Sequence, residues 1–457
     1  MTETATPALT MQLAEWAAST TTDDLPHAVV HQVRRSLVDY LSAVIPGASS
    51  APAAPVRRYA IATSAPGGAT VIGTDARLVP SAAAMVNGTA AHSLELDDGY
   101  TPGGGHPGCT VVSAALAMAE AIEASVDDLI RAIALGYEVA CRLGGSTHPS
   151  QWRRGFHNTP LFGVFGAATA AAALLDLDAA GFANAYGLAG SHASGLLAYH
   201  DQGADVKRYH AGKAARDGVA CAELTAGGLT GPTIVLESRR GYLNAFTGGQ
   251  YDLDHLVGDL GSTWRMTRTY QKLYPCCRHV HAAVDAAVAL RRDEGIDAAR
   301  VKAVRVETFS IGAAYDNRDI ATTLDAQMSL PYAVAAAFVH GVPSLEHFAQ
   351  PVRSDALVRL LTDSVEIAVD EEMDGAYPSE RPARVTVTTD SGAVHTVEVR
   401  QPYGEPDNPM SDTDVDTKFR RLVDPIIGSD QTEELLTAAR ASTDAGVLFD
   451  ALRASSG

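Results

Sequence analysis

Residues 155–175 read GFHNTPLFGVFGAATAAAALL and contain no Asp, Glu, Lys or Arg. An uncharged run of this length is the usual signal of a membrane span. This one contains His157, Asn158 and Pro160 near its start, and many of its apolar residues are alanine, which is only weakly hydrophobic. These features favour a helix that is preceded by a loop and buried among other helices. The stretch therefore predicts a large helical core.

Helical spacing continues on both sides of this run. Between about residues 8 and 265, apolar residues recur at three- and four-residue intervals, and short Gly, Pro and Asp stops separate the segments. Alanine and glycine are abundant, and their small side chains let helix axes approach closely. Helices are predicted in the segments 13–20, 27–45, 81–96, 110–124, 126–144 and 162–177.

The pattern changes after about residue 295. Residues 301–309, VKAVRVETF, alternate as a strand does, residues 365–369 behave similarly, and residues 383–400 read as a hairpin that turns at Asp390-Ser391-Gly392. Two helices are predicted in the same part of the chain, at about 279–292 and 327–340. A smaller α+β domain therefore follows the helical one.

The last part of the chain returns to helical composition. After the linker QPYGEPDNPMSD at 401–412, helices are predicted at 413–422 and 432–452. The fold class predicted is mainly α, with a discontinuous all-α domain at 1–268 and 405–457 and an α+β domain at 269–404.

Charge and cysteine content restrict the function. The net charge of −19 argues against binding to nucleic acid or to an anionic membrane, because both need a cationic surface. The five cysteines are scattered and lack a CxxC pair, which is typical of reduced thiols in a cytoplasm. The first residues, MTETATPALT, do not resemble a signal peptide. We therefore expect a cytoplasmic protein, and an anionic substrate would need a local cluster of basic residues.

Residues 94–108, LELDDGYTPGGGHPG, are the first candidate site. Gly103, Gly105 and Gly108 satisfy GxGxxG, but no β-strand pattern precedes them and Pro107 removes an amide donor, so a dinucleotide site is not predicted. The three acids and His106 could bind a divalent metal, although the rigid spacing of known motifs is missing. The alternative is a helix that ends in acidic residues before a solvated loop, an arrangement that the helix dipole disfavours.

Two further segments could bind an anion. His157 and Thr159 would present donors at the start of the uncharged helix, where carboxylates are favoured, although a histidine there could also cap the helix or pack. The segment 205–218, DVKRYHAGKAARDG, is the strongest basic cluster, and Lys207 and His210 share a face if it is helical. Its alternative is an exposed basic face.

The fourth segment, KLYPCCRHVHAAVDAA at 272–287, places a lysine, adjacent cysteines, an arginine and two histidines at a helix entrance. His279 and His281 would diverge on a helix, so we do not expect them to bind one metal ion. The adjacent cysteines are expected to be unpaired thiols. The sequence contains no GxSxG nucleophile motif and no Walker A motif.

Taken in chain order, these segments resemble the MmgE/PrpD family, which includes 2-methylcitrate dehydratase, cis-aconitate decarboxylase and iminodisuccinate epimerase. The resemblance is carried by AHSLELDDG at 91–99, GGGHPG at 103–108, GYEVACRLG at 136–144, the uncharged run at 155–175, LAGSHASGL at 188–196, VKRYHAGKAARDG at 206–218, LTGPTIVLESRRGY at 229–242, KLYPCCRHVHAAVDA at 272–286 and NPMSDTDVDTKF at 408–419.

The resemblance implies a large all-α domain built from both chain ends, a smaller α+β lid domain, a homodimer, and a pocket for di- or tricarboxylates with neither cofactor nor metal. By motif, the catalytic positions are His106, His157, Lys207 and Lys272, and Tyr332 matches a lid tyrosine. The candidate substrate-binding residues are Glu95, Asp98, Thr159, His210, Cys277 and Arg278.

The resemblance further implies a lyase, with a hydro-lyase similar to 2-methylcitrate dehydratase as the leading hypothesis. The alternatives are an epimerase of an amino- or imino-dicarboxylate, a cis-aconitate decarboxylase-like enzyme and a non-catalytic carboxylate-binding protein. Three positions depart from the decarboxylase branch: Glu95 stands where that branch has aspartate, Gly99 where it has threonine, and Cys277 where it has histidine.

Overall fold

The structure is a computed structural model that describes residues 8–201 and 203–455. The segment 1–7, where no signal peptide is predicted, lies outside the described residues. Within them the chain forms two compact units. The helical unit comprises the chain up to Ser93, Asp97–Tyr270 and the chain from Ser411, and the mixed unit comprises Leu94–Leu96 and Gln271–Met410. The sequence predicts domain boundaries at 268/269 and 404/405. It does not predict that Leu94–Leu96 belong to the mixed unit.

The first part of the helical unit consists of helices that largely match the predicted segments. They are α1 (Leu9–Ser19), α2 (His27–Gly47), α3 (Ala53–Thr63), α4 (Pro80–Ala91), α5 (Gly108–Ala121), α6 (Val126–Thr147), α7 (Ser150–Arg153), α8 (Asn158–Leu174), α9 (Ala179–His192), α10 (Val206–Ala226), α11 (Tyr242–Thr247) and α12 (Leu253–Val257). Short 3-10 turns lie at Thr22–Asp24, Thr101–Gly103, Leu197–Asp201 and Arg265–Arg268.

Helix α8 lies at the centre of this unit, and every one of its residues is buried. It packs against α5, α6, α9 and α10. Small residues allow these contacts: a Cβ on Gly166 would lie 2.7 Å from the carbonyl oxygen of Gly136, and one on Gly218 would lie 2.4 Å from the Ala167 Cβ. The prediction of a buried helix behind a loop is confirmed. Among the described residues, none of the helices has the length and apolar character needed to cross a membrane.

Two expectations for this unit are wrong. Residues 66–78 include two short antiparallel strands, β1 (Pro66–Thr70) and β2 (Arg77–Leu78), inside the region predicted as helical. Their sequence has no alternation to reveal them, because the pairing depends on the backbone. Helix α4 ends at Ala91, so the acids at 95–98 lie beyond the helix, and Glu95 has a φ of 55°.

The mixed unit contains a four-stranded sheet of β3 (Val301–Thr308), β4 (Val365–Val369), β5 (Ala383–Thr389) and β6 (Val394–Val399) in the order β4-β3-β5-β6. Strands β3 and β4 are parallel, and the other neighbours are antiparallel. Side chains of β5 alternate between buried and half-buried positions, and the predicted hairpin at 383–400 is confirmed.

The helices of the mixed unit are α13 (His281–Asp293), α14 (Ser310–Ala313), α15 (Thr323–Gln327), α16 (Leu330–His340), α17 (Ala356–Ser364) and α18 (Glu371–Ala376). Helix α13 follows a 3-10 turn at Arg278–Val280, and α16 begins later than predicted because Ser329 caps it by accepting the Tyr332 amide. Buried residues of α13, α16 and the sheet form one apolar core.

The C-terminal segment belongs to the helical unit and contains α19 (Asp412–Ile427), α20 (Ser429–Ala441) and α21 (Ala445–Ala454). The second predicted helix is interrupted, because the Asp444 side chain accepts the Gly446 amide and starts a new helix. Helix α19 packs on α2, where Lys418 Nζ lies 2.7 Å from Asp39 Oδ1 with both side chains buried.

Candidate functional site

Four histidines from distant parts of the helical unit meet in one place, and we call them the imidazole cluster: His92, His106, His157 and His210. Ring centroids lie 4.9 Å apart for His92 and His106, 6.0 Å for His92 and His157, and 5.3 Å for His157 and His210. His106 has the most exposed side chain of the four, at 14%. The structure therefore brings together three histidines that the sequence predicts and one that it does not.

Each of these histidines lies at or near the end of a helix. His92 follows the last residue of α4, His157 directly precedes α8, His106 precedes α5 by two residues, and His210 lies near the start of α10. The positive ends of α5, α8 and α10 are therefore close to the cluster, as an anionic ligand requires.

Lys207 and His210 lie in the first turns of α10 and are both buried. The segment is helical from Val206, so the two residues share a face as predicted. The alternative of a wholly exposed basic face is wrong, because Arg208 is buried as well. A buried basic cluster in an acidic protein provides the local positive charge that an anionic substrate needs.

The glycine loop at 103–105 uses its backbone groups internally. The Tyr100 amide donates to the Gly105 carbonyl at 2.8 Å, and Asn158 Nδ2 donates to the Gly103 carbonyl at 3.0 Å. Gly104 has a φ of 58°, and a Cβ on Gly105 would lie 2.7 Å from the Phe162 ring. The glycines thus allow a tight turn against α8, and no strand precedes the loop at 94–98. Both findings agree with the prediction that this is not a dinucleotide site.

Asp98 connects the two ends of the segment 98–108, which contains the glycine loop. Its carboxyl group accepts hydrogen bonds from the Gly108 amide at 3.0 Å and from the Tyr137 hydroxyl at 2.9 Å. Burial raises the pKa of Asp98 to about 8, and the nearby charges of Asp39 and Asp97 add to the rise. These contacts give Asp98 a positioning role within the protein, whereas the sequence predicts substrate binding.

The carbonyl of Asp98 determines the tautomer of His106. It lies 2.6 Å from His106 Nδ1, and because a carbonyl oxygen only accepts, Nδ1 carries the proton. In the neutral ring the lone pair then lies on Nε2. The His106 amide donates to Thr159 Oγ1 at 3.2 Å, so Thr159, predicted to bind substrate, ties His106 to α8.

His157 and His210 share a hydrogen bond, with 3.1 Å between their Nδ1 atoms. The His157 side chain makes no capping bond to α8, so the capping alternative is wrong. Burial lowers the pKa of His157 well below its usual value, and charge on His92, His210, Lys207 and His106 would lower it further. Burial also lowers the pKa of His210 to about 4. Both rings are therefore neutral at physiological pH.

His92, Asp97 and His106 lie close enough to be considered as metal ligands, with one donor atom of each within 4.8 Å of the others. Hydrogen bonds explain this approach equally well, because His92 Nδ1 donates to Asp97 Oδ2 at 2.7 Å and His106 Nδ1 donates to the Asp98 carbonyl. A metal bound through the Nδ1 atoms would have to displace both protons. The metal-free site expected from the sequence stays a prediction.

A second group of candidate residues lies in the mixed unit. Lys272 Nζ is 3.5 Å from Glu95 Oε2, and both side chains are buried. The segment 94–96 is held by Gln327, whose Nε2 donates to the Leu94 carbonyl at 2.9 Å. Glu95 is thus the counter-ion of Lys272. Cys276 and Cys277 are adjacent and buried, and they form no disulfide with each other, as the sequence predicts.

Arg278 and Tyr332 are occupied within the fold. The Arg278 guanidinium donates to Glu405 Oε1 and to the carbonyls of Pro402 and Tyr403. The Tyr332 hydroxyl donates to the His347 carbonyl at 2.5 Å. These bonds give both side chains structural partners, whereas the sequence predicts substrate binding for Arg278 and catalysis for Tyr332.

His279 and His281 diverge as predicted. The His279 ring packs against Phe309 and Tyr315, whereas His281 contacts Arg278 and the Cys276 carbonyl. Their different surroundings agree with the expectation that the pair does not bind one metal ion.

Comparison with known proteins covers most of the chain. Residues 11–254 match the MmgE/PrpD N-terminal domain, and residues 274–444 match the MmgE/PrpD C-terminal domain.

Named relatives align over nearly the full length. A cis-aconitate decarboxylase-like protein of Aspergillus oryzae is 28% identical over 93% of this chain and 93% of its own. The cis-aconitate decarboxylase of Aspergillus terreus is 28% identical over 93% of this chain and 91% of its own. The human cis-aconitate decarboxylase is 27% identical over 90% and 87%, respectively. With matches to both family domains, the chain belongs to the MmgE/PrpD family.

Proposed function

We propose that the protein is an enzyme, a cofactor-independent lyase that acts on a small di- or tricarboxylate by proton transfer at a carbon next to a carboxylate. The observation that carries this proposal is His106, whose Nδ1 proton is directed to the Asp98 carbonyl at 2.6 Å. This bond leaves the basic lone pair on Nε2, as a general base requires. Membership of the family and its cis-aconitate decarboxylase relatives supports a polycarboxylate substrate.

The surroundings of His106 suit such a reaction. A proton next to a carboxylate is weakly acidic, so negative charge develops on the substrate as the proton leaves and must be stabilised. Lys207 and the starts of α8 and α10 provide positive potential, and the neutral rings of His157 and His210 provide hydrogen-bonding groups. His106 is then available as the base, and a dehydratase would need a second, protonated group to deliver a proton to the leaving hydroxyl.

Dehydration is the leading reaction of this proposal, and the cis-aconitate decarboxylase relatives support decarboxylation as the alternative against which three positions argue. At position 99, where the decarboxylase branch has threonine, a Cβ on Gly99 would lie 2.2 Å from the Tyr270 hydroxyl. Any side chain there would have to displace Tyr270, so this position is rebuilt around glycine. Glu95 and Cys277 are the other two departures. On these three departures we propose dehydration ahead of decarboxylation.

Epimerisation is the second candidate, because it needs a base and an acid on opposite faces of one carbon. Ring centroids of successive members of the imidazole cluster lie 4.9–6.0 Å apart, which supports more than one acid–base group near one substrate carbon. An epimerase would exchange the substrate proton with solvent and would leave the carbon skeleton intact.

Incubation with 2-methylcitrate, citrate and cis-aconitate in deuterated water, followed by NMR, tests the proposal. A lyase gives a new unsaturated or shortened product, and an epimerase gives deuterium uptake without net loss of substrate. His106→Gln and Lys207→Ala are each expected to lower turnover by roughly 10²-fold or more, as the loss of an acid–base group does. His31→Gln, which changes an exposed His–Asp pair, is the control. Complete inertness towards a broad carboxylate panel would overturn the enzymatic proposal.

A further inference from the structure

His92 is the member of the imidazole cluster that the sequence does not single out. It caps the end of α4 and is fully buried. Its Nδ1 donates to Asp97 Oδ2 at 2.7 Å, and its Nε2 has no hydrogen-bond partner among the described residues. A buried polar atom without a partner costs free energy, so structural packing alone does not account for a histidine at this position.

The Asp97 carboxylate faces two imidazoles at once. Oxygen Oδ2 accepts from His92 Nδ1 and lies 3.6 Å from Nδ1 of His106, the proposed base. The His92 ring centroid lies 4.9 Å from that of His106 and 6.0 Å from that of His157, and the planes of the His92 and His157 rings differ by 22°. His92 is therefore placed to influence His106 through a shared carboxylate.

Other titratable groups also act on this carboxylate. Asp98 lies in the same segment, and Asp39 reaches it from α2. The Cys109 thiol approaches it from α5. His157 and His210, on the α8 and α10 sides, act on His92 instead, and Lys207 acts on His157. Among them only Asp97 contacts both His92 and His106 through the same oxygen.

We propose that His92 and Asp97 form a positioning pair that orients His106 and sets its affinity for a proton. The inference rests on the proposed function, in which His106 exchanges a proton with the substrate. Asp97 favours the protonated form of His106 by its negative charge. His92 donates a hydrogen bond to the same oxygen and so offsets part of that charge. Removing Asp97 and removing the His92 donor therefore shift the His106 titration in opposite directions.

NMR of protein labelled with ¹⁵N at histidine tests this without any substrate. The His106 ring signals are assigned by their loss in His106→Gln. In wild type we expect the neutral ring to carry its proton on Nδ1. Asp97→Asn should lower the titration midpoint of His106 by about one pH unit or more, the usual effect of losing an opposite charge at this distance. A proton on Nε2 in the neutral ring would contradict the bond to the Asp98 carbonyl on which the proposed base rests, whereas an unchanged midpoint in Asp97→Asn would overturn the positioning pair.

Substitution of His92 tests the opposite shift of the His106 titration midpoint. His92→Phe keeps a ring but removes the donor, and it should raise the His106 midpoint. His92→Asn restores a donor near the Nδ1 position and should return the midpoint close to that of wild type. His31→Gln, from the exposed pair with Asp412 at 2.8 Å, should leave it unchanged. If His92→Phe fails to fold, the His106 midpoint in Asp97→Asn still tests the proposal. Unchanged His106 midpoints in the variants that fold would refute the positioning pair.

Enzyme kinetics extend the test where a substrate is turned over. The acidic limb of the pH profile of kcat/KM should move to lower pH in Asp97→Asn and to higher pH in His92→Phe. In His92→Phe, kcat should fall about tenfold or more with little change in KM, because proton transfer is affected more than binding. If no carboxylate is turned over, the proposed function fails, and the NMR titration still decides whether the positioning pair exists.

Discussion

At the scale of single residues, Asp98 combines two opposing effects. Its carboxyl oxygens hold the start of α5 through Gly108 and the middle of α6 through Tyr137. The same burial raises its pKa to about 8, so ionisation within the folded protein is costly. Burial and the charges of Asp39 and Asp97 therefore favour the protonated form, whereas the two accepted hydrogen bonds favour the ionised form.

This conflict predicts a pH dependence of stability. The pKa of Asp98 is about 8 when folded and about 3.8 when unfolded, so its contribution is complete below pH 4 and is lost as pH rises towards 8. Asp98→Asn has no proton to lose. Between pH 6 and pH 8, its free energy of unfolding should fall by about 2 kcal/mol less than that of wild type.

Urea unfolding at pH 6, 7 and 8 measures this difference. Asp293→Asn is the control, because Asp293 is exposed and its pKa is lowered by Arg292, so it stays ionised throughout this range. Parallel pH dependences in wild type and Asp98→Asn would contradict the assignment of a protonated Asp98.

The sequence could predict much of the imidazole cluster, but not all of it. His106, His157 and His210 stand in segments of unusual composition, and the resemblance to a family marks the first two. His92 lies in AHSLELDDG, one of the segments that carry the resemblance, but no role is assigned to it there. Only the packing of α4 against α5 and α10 brings it to the cluster. The roles of Asp98 and Thr159 likewise depend on hydrogen bonds that spacing does not reveal.

At the scale of elements, the start of α5 is the most constrained junction near the cluster. A Cβ on Gly108 would lie 2.6 Å from both Asp98 Oδ1 and the Tyr137 hydroxyl. Neither neighbour can withdraw without breaking the hydrogen bond between them. Gly108 is therefore required by close packing, as no positive φ is involved.

We expect Gly108→Ala to destabilise the protein by about 1–3 kcal/mol, the usual cost of overpacking a buried site. It should also weaken the hydrogen bond between His106 and the Asp98 carbonyl, because the loop between Asp98 and α5 would have to shift. Gly227→Ala is the matched control: its Cβ would make only ordinary contacts at 3.4 Å or more. The measurement is urea unfolding of both variants. Equal stability of the two would contradict the packing argument.

Long periodic segments allowed most elements to be predicted. Helix α2 and the hairpin of β5 and β6 follow their patterns closely. The strands β1 and β2 were missed, because a glycine-rich ribbon held by backbone pairing has no side-chain period. The left-handed conformation of Glu95 was missed for a similar reason, since it depends on where the segment 94–96 is held in the mixed unit.

At the scale of the whole molecule, the helical unit is closed by a segment from the far end of the chain. Composition indicates that the C-terminal helices return to this unit, and the structure shows the contact. Lys418 on α19 and Asp39 on α2 form a buried ion pair 379 positions apart in sequence. A single lysine on an amphipathic helix reads as a surface residue, so sequence alone does not reveal the pair.

Lys418→Met should destabilise the protein by about 3–5 kcal/mol, because it leaves Asp39 buried without its counter-charge. Burial already raises the pKa of Asp39 while Lys418 lowers it, so the variant should take up a proton and lose less stability at pH 5 than at pH 8. Replacing both residues, as Asp39→Leu with Lys418→Met, should recover most of the loss. Breaking the exposed Arg420–Glu433 pair by Arg420→Met should cost no more than about 1 kcal/mol. Urea unfolding of wild type, Lys418→Met, the double variant and Arg420→Met measures these losses. If Lys418→Met lost no more free energy of unfolding than Arg420→Met, apolar packing and not the ion pair would hold α19.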